Sequence, residues 1–124
     1  MNKKRPINLD LTTITFPITA ITSILHRLSG VLLFLLSPLM LYCLKLSLSK
    51  EESFVNLQQI LAKPLAKLVI LLFLAALVYH ILAGCRHLLM DCGVGEELPQ
   101  GRFSAFFVIG CFIVLISLLG IWLW

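Results

Sequence analysis

Three long apolar segments constrain the fold of this 124-residue chain more than any other feature of its sequence. They cover residues 21–48, 61–89 and 103–124. About 20 apolar residues are needed to cross roughly 30 Å of hydrocarbon, and each segment is long enough. Because lipid offers no hydrogen-bond partners, each segment must satisfy its backbone groups internally, as an α-helix does. The sequence therefore predicts an all-α integral membrane protein with three transmembrane helices.

The composition supports a membrane protein and argues against a nucleic-acid partner. The chain is 60% hydrophobic and 13% charged, whereas soluble domains are roughly 45–50% apolar and about 25% charged. The formal net charge is +4, but the basic residues form no stripe or aromatic-basic face of the kind that binds nucleic acid. The positive charge is better explained by Lys and Arg retained on the cytoplasmic side of a membrane.

The distribution of basic residues predicts the orientation. With three spans, the N-terminus and the second loop lie on the same side of the membrane, and that side holds the larger number of Lys and Arg residues. We therefore expect residues 1–20 to form a cytoplasmic N-terminal segment and residues 21–124 to form a three-helix membrane domain. Residues 49–59 and 93–102 read as polar loops, and Pro38 is expected to kink the first helix. The basic N-terminus is not followed by the apolar core and cleavage site of a signal peptide.

A polar stripe interrupts the end of the second apolar segment. At 100° per residue, His80, Gly84, His87 and Asp91 fall within about 40° of one another on a helix. If Asp91 marks the cytoplasmic end, His80 lies roughly 16 Å deeper, well inside the hydrocarbon. An ionisable residue at that depth is costly and marks a candidate functional site.

His80 could serve as a ligand for haem iron, because neutral imidazole is a good axial ligand. Gly84 would let a flat macrocycle approach the helix, and Arg86 and His87 could meet its propionates near the surface. The alternative is a histidine that only hydrogen-bonds across a helix bundle. A haem with two His ligands would need its second histidine from another subunit, so the sequence favours a hetero-oligomeric helix bundle.

The four cysteines carry no cofactor motif. No Cys-x-x-Cys-His sequence occurs, so covalent c-type haem attachment has no support. Cysteines 43, 85, 92 and 111 lie in or beside apolar segments. We expect them to be small buried hydrophobic residues.

A second polar stripe opens the first apolar segment. Ser23, Arg27 and Gly30 share one helical face, and His26 is offset from Ser23 by about 60°. A hydroxyl and a guanidinium at this depth could donate hydrogen bonds to the carbonyl oxygens of a quinone, and Arg27 could stabilise the negative charge that reduction places there. The alternative is an arginine that extends to lipid phosphates.

Two longer signatures surround these stripes, and both resemble the cytochrome b subunit of succinate dehydrogenase, the larger membrane anchor of respiratory complex II. One signature is an early Arg-Pro pair, followed by Ser, two residues and His-Arg-x-Ser/Thr. It reads here as Arg5-Pro6 and "SILHRLS", residues 23–29. The other, His-x-x-x-Gly-x-Arg-His-x-x-x-Asp-x-Gly, is complete in residues 80–93. Residues 5–30 are similar to proteobacterial members, which implies the bacterial inner membrane.

The resemblance implies roles for individual residues. His80 would be the metal ligand, one axial ligand of haem b, and the smaller anchor subunit would supply the other axial histidine. Ser23 and Arg27 would line the ubiquinone site, with Ile24 as part of its apolar wall. Three residues would approach the haem propionates: His26, Arg27 and His87.

The resemblance also implies partner subunits and a reaction. Succinate oxidation would occur on a flavoprotein with covalent FAD, and electrons would pass through an iron–sulfur protein to ubiquinone. These steps belong to the tricarboxylic acid cycle and aerobic electron transport. FAD and the Fe–S clusters would lie on the partners, since this chain has neither a cysteine cluster nor a dinucleotide-binding fingerprint.

Three other functions remain open at this stage. A fumarate reductase anchor has the same architecture, and the sequence does not encode the direction of the reaction. A purely structural anchor would bind neither haem nor quinone. A di-haem anchor would need two deep His pairs, and residues 103–124 contain no histidine.

Overall fold

The computed structural model describes residues 13–124, which form a bundle of helices. In chain order the helices are α1 Ile18–Ser49, α2 Glu51–Leu61, α3 Pro64–Asp91 and α4 Leu98–Leu123. Three of them, α1, α3 and α4, are long and apolar enough to cross a membrane. The prediction of an all-α protein with three transmembrane helices is confirmed.

The observed helix bounds differ from the predicted ones by a few residues. α1 begins at Ile18 and α4 at Leu98, both earlier than predicted, whereas α3 begins later, at Pro64. Proline suits the first helical position because its missing N–H would have no partner there. The Arg5-Pro6 pair and most of the expected cytoplasmic segment lie outside the described residues.

The prediction of a polar loop over residues 49–59 is wrong, because most of this stretch belongs to the short helix α2. Its apolar residues Phe54, Leu57 and Leu61 follow the i, i+3, i+7 spacing of an amphipathic helix. Leu57 is buried, and α2 packs against α1 and α3. Glu51 and Glu52 lie in the first turn, where acidic side chains interact favourably with the helix dipole.

α1 continues as a helix through Pro38. Proline has no N–H to donate to the carbonyl four residues earlier, which belongs to Phe34. The Ser37 hydroxyl donates to that carbonyl instead, at 3.1 Å. The replacement keeps a backbone oxygen satisfied where lipid could not do so.

A tight turn reverses the chain between α3 and α4. The amide of Val94 donates to the Leu89 carbonyl and the amide of Gly93 to the Met90 carbonyl, both at 2.9 Å. This is a Schellman motif, and it needs a left-handed residue that glycine provides. Gly93 has φ +82°. The turn brings the end of α3 beside the start of α4.

α3 is the central helix of the bundle and packs antiparallel to both α1 and α4. Against α4, small residues allow close approach, and Ala83 and Ala105 are 1% and 0% exposed. The Tyr79 and Phe112 rings are perpendicular to each other, with centroids 5.3 Å apart. Near the start of α3, Lys67 donates to the Leu123 carbonyl at 2.8 Å and caps the end of α4.

The bundle has a second end, where α1 and α4 begin and α3 ends. We call it the histidine end.

Candidate functional site

The histidine end places all three histidines of the chain side by side. His26 of α1 stacks on His80 of α3 with ring centroids 4.2 Å apart. His87, two helical turns from His80, lies 5.1 Å from His26 in a tilted arrangement. Residues that the sequence analysis took from two separate stripes therefore form one cluster across the α1–α3 interface.

Each of the two stacked histidines lies against a glycine of the opposite helix. A Cβ added to Gly30 on α1 would stand 3.1 Å from Cε1 of His80. A Cβ added to Gly84 on α3 would stand 3.4 Å from Nε2 of His26. The first distance is tighter than an ordinary van der Waals contact, so Gly30 is the more restrictive position. The two glycines make room for the two rings at the helix crossing.

The contacts around His80 favour the tautomer with the proton on Nδ1. Nδ1 lies 3.0 Å from the Ser29 hydroxyl oxygen and 3.2 Å from the His26 carbonyl oxygen. The carbonyl can only accept, and the Ser29 hydroxyl already donates its one proton to that carbonyl at 2.7 Å. Both contacts are satisfied together only if Nδ1 is the donor. Nε2 of a neutral His80 then keeps its lone pair.

His26 presents a buried nitrogen without a partner. Its Nε2 is shielded from solvent and makes no hydrogen bond within residues 13–124. Buried polar atoms in folded proteins are nearly always hydrogen-bonded, so an exception calls for a ligand or a partner. The unsatisfied atom lies in the same cluster as His80.

The three residues expected to contact quinone share the neighbouring face of α1. Ser23 is half-buried, and Ile24 and Arg27 are exposed. In the described part of the chain the Arg27 guanidinium makes no hydrogen bond, so it is free to bind a ligand. Asp91, the last residue of the predicted stripe on α3, is exposed beyond the cluster.

Arg86 does not lie where its position in the sequence predicted. It was expected near the surface beside His87, but it is only 6% exposed and faces α4. Nε donates to the Ser104 hydroxyl at 2.9 Å, and a terminal nitrogen donates to the Gly101 carbonyl at 3.2 Å. Arg86 therefore links α3 to α4 and is turned away from the histidine cluster, because residues 86 and 87 point to different faces of the helix.

The expectation that the cysteines are buried is also wrong for this chain. Cys85 and Cys92 are exposed, and Cys43 and Cys111 are half-buried. Among the described residues no three His, Cys, Asp or Glu side chains converge as a metal site would require.

These observations test whether haem fits the site. With Nδ1 as the donor, Nε2 of His80 carries the lone pair of the ring, and an imidazole nitrogen of this kind is what haem iron takes. Nδ1–H is held by two oxygen acceptors, as is usual for metal-binding histidines. Gly30 and Gly84 supply space for the rings, and His26 supplies an unsatisfied nitrogen close by. The residues present fit a haem that shares this face of the bundle.

Two features of the site were not predicted, although the spacing of residues in the sequence indicates both. His26-x-x-x-Gly30 and His80-x-x-x-Gly84 repeat the same His-to-Gly spacing on antiparallel helices. The repeat could have predicted that each ring lies against the other helix's glycine. Ser29 was quoted only as part of a motif, and its i+3 distance from His26 is the signal for its backbone hydrogen bond.

The fold and the site together define a multi-pass helical membrane protein with an imidazole cluster at one end. Residues 1–120 match the protein family described as succinate dehydrogenase/fumarate reductase transmembrane subunit. The chain belongs to this family, which confirms the resemblance that its two signatures indicated.

Several relatives carry the same printed name, succinate dehydrogenase cytochrome b556 subunit. The protein of Coxiella burnetii is 47% identical, over 100% of both chains. That of Rickettsia prowazekii is 32% identical over 95% of this chain and 92% of its own length. That of Paracoccus denitrificans is also 32% identical, over 90% of this chain and 85% of its own. The similarity therefore extends over the whole transmembrane bundle.

Proposed function

We propose that this chain is the membrane-anchor cytochrome b subunit of a bacterial succinate:ubiquinone oxidoreductase. Its family and the names of its relatives support this assignment. In that role the chain lies in the inner membrane with its N-terminus in the cytoplasm, where its larger number of basic residues would be retained. It would act in the tricarboxylic acid cycle and in aerobic electron transport.

The observation that carries the haem proposal is the hydrogen bonding of His80. With Nδ1–H held by Ser29 and the His26 carbonyl, Nε2 of His80 would hold the iron of haem b. The second histidine would come from the smaller anchor subunit, because the His26 ring stacks on the His80 ring and two stacked imidazoles cannot both bind one iron. When bound, haem supplies a one-electron carrier close to the quinone site.

Three residues of this chain are suited to the haem propionates. The unpartnered Nε2 of His26 would gain a partner if its N–H donated to a carboxylate. His87 lies beside His26 and nearer the end of α3. Arg27, the next residue after His26 on α1, adds a cation whose guanidinium can bind a carboxylate with two hydrogen bonds.

Ser23, Ile24 and Arg27 would bind ubiquinone. Ser23 and Arg27 are four residues apart and therefore neighbours on α1, so both can donate to the same end of the quinone. The Ile24 side chain, which is exposed on this chain, would pack on the ring. As the quinone oxygens become negative during reduction, the Arg27 guanidinium stabilises that charge and thereby assists electron transfer.

The remaining chemistry would belong to partner subunits. A flavoprotein with FAD would oxidise succinate, and an iron–sulfur protein would pass the electrons to the quinone. The exposed faces of α1, α3 and α4 would pack against the smaller anchor and lipid. A fumarate reductase anchor is the second candidate, because the family description covers both enzymes, but the relatives' names favour succinate dehydrogenase.

Replacing Arg27 tests the quinone part of this proposal. In the purified complex we expect Arg27→Leu to lower succinate:ubiquinone reductase activity roughly 100-fold, the usual loss for one group that stabilises developing charge. Succinate oxidation with a soluble dye should be retained, since the flavoprotein is untouched. Lys45→Leu is the matched control, because it removes an exposed cation from the opposite end of α1.

Two outcomes would contradict the assignment of Arg27. Unchanged quinone reductase activity would remove Arg27 from the site. Equal loss in both assays would mean that Arg27 is needed to assemble the complex and not to bind quinone.

A further inference from the structure

We propose that Ser29 is a positioning residue for His80: its hydroxyl oxygen accepts the Nδ1–H bond and so directs the Nε2 lone pair at the haem iron. The inference rests on the proposed function, because it assumes that His80 binds haem. It assigns to Ser29 a task distinct from those of Ser23 and Arg27, which belong to the quinone site.

This direction of hydrogen bonding is the one that satisfies all three contacts at once. Ser29 has one hydroxyl proton, and the His26 carbonyl at 2.7 Å takes it. The lone pairs of the same oxygen remain available to the imidazole at 3.0 Å. The carbonyl accepts from Nδ1 as well, at 3.2 Å. The Ser29 hydroxyl oxygen and the His26 carbonyl oxygen therefore both accept from the single Nδ1–H of His80.

The position of the ring is fixed on three sides. Ser29 and the His26 carbonyl hold its Nδ1 edge, and Gly30 limits the space beside Cε1. The His26 ring covers one face at 4.2 Å. Ser29 itself is only 7% exposed, so water cannot readily replace its hydroxyl as the acceptor.

The expected consequence is a tighter and more electron-rich ligand. An acceptor on the second nitrogen of a metal-binding histidine raises the basicity of the ligand, and its removal typically costs 10- to 100-fold in affinity. A more basic ligand stabilises the oxidised iron, so removing the hydroxyl should raise the haem midpoint potential. The remaining bond to the His26 carbonyl should preserve ligation itself.

The test compares the complete wild-type complex with Ser29→Ala and Ser29→Thr. We would measure the rate of haem transfer to apomyoglobin and the haem midpoint potential by optical redox titration. Ser29→Ala should lose haem roughly 10- to 100-fold faster and titrate at a higher potential. Ser29→Thr, which keeps the hydroxyl, should restore both values toward those of the wild type. Ser47→Ala is the matched control, since Ser47 makes the same kind of i−3 hydrogen bond elsewhere on α1.

The outcomes separate this inference from the proposed function. A wild-type complex without haem would overturn both. If the wild type contains haem and Ser29→Ala has the same rate of haem loss and the same midpoint potential, only the role of Ser29 is overturned. The role of Ser29 is also overturned if Ser29→Ala and Ser29→Thr change the rate and the potential equally. If Ser29→Ala does not assemble, Ser29→Cys retains a side chain of similar shape with a weaker acceptor. It should then lose haem faster than wild type, and wild-type values for Ser29→Cys would overturn the inference.

Discussion

The two interfaces that α3 forms, with α4 and with α1, differ in one buried polar side chain. Toward α4, the buried Arg86 finds a hydroxyl and a carbonyl within hydrogen-bond distance, and small residues close the interface around it. Toward α1, His26 keeps a buried nitrogen without a partner in the described residues, and glycines leave room at the crossing. Polar groups satisfied within one chain serve its fold, whereas an unsatisfied one indicates a ligand or partner. Arg86 and His87 are adjacent in sequence, but Arg86 contacts α4 whereas His87 contacts His26 of α1.

The largest expected loss of stability comes from replacing Arg86 at the α3–α4 interface. Arg86→Ala removes two hydrogen bonds from a charged donor and leaves a gap between helices. We expect it to destabilise the bundle by about 2–4 kcal/mol. Thermal unfolding of the purified complex would measure this loss, with the exposed Arg102→Ala as the matched control. The haem spectrum of the complexes that assemble should be unchanged.

One result for Arg86→Ala would contradict the distinction between the two interfaces of α3. If Arg86→Ala leaves stability intact but alters the haem or quinone activity, then the α3–α4 interface belongs to the functional site. The two faces of α3 would no longer have separate roles.

A smaller effect is expected at the glycines of the α1–α3 crossing. Gly30→Ala places a methyl group 3.1 Å from the His80 ring, so the ring must shift by a few tenths of an ångström. We expect reduced haem content per complex, and a weaker effect for Gly84→Ala, whose added methyl is less crowded. Gly110→Ala is the control, because nothing lies within 4 Å of its added Cβ. Haem extracted from the purified complexes would be quantified against protein.

The order of these three variants is the informative result. If Gly84→Ala is more harmful than Gly30→Ala, the His26 ring would be under tighter constraint than the His80 ring. Equal haem content in all three would mean that the crossing tolerates extra volume and that the glycines do not define the site.

The transmembrane helices were predictable because a run of 20 or more apolar residues has few alternatives in a membrane. α2 was missed because its polar residues were read as a loop. The i, i+3, i+7 spacing of Phe54, Leu57 and Leu61 indicates an amphipathic helix here. A short segment with mixed composition is decided by its periodicity and not by its average polarity.

Part of the candidate site was also predictable from spacing. The shared face of His80, Gly84 and His87 follows from helix geometry alone. The partners of Arg86 were not predictable, because Ser104 and Gly101 lie on another helix and meet Arg86 only after the turn at Gly93. The same holds for the contact between Ser29 and His80, which are 51 residues apart. Long-range contacts of this kind depend on how the helices pack.

Haem binding by His80 is tested most directly by a dithionite-reduced minus oxidised optical spectrum of the purified complex, recorded for wild type and His80→Leu. We expect a b-type haem signal in the wild type that is lost or shifted in the variant, because leucine cannot bind iron. A wild type with no haem signal, or a variant with an unchanged signal, would contradict the claim that the α1–α3 interface presents His80 as a haem ligand.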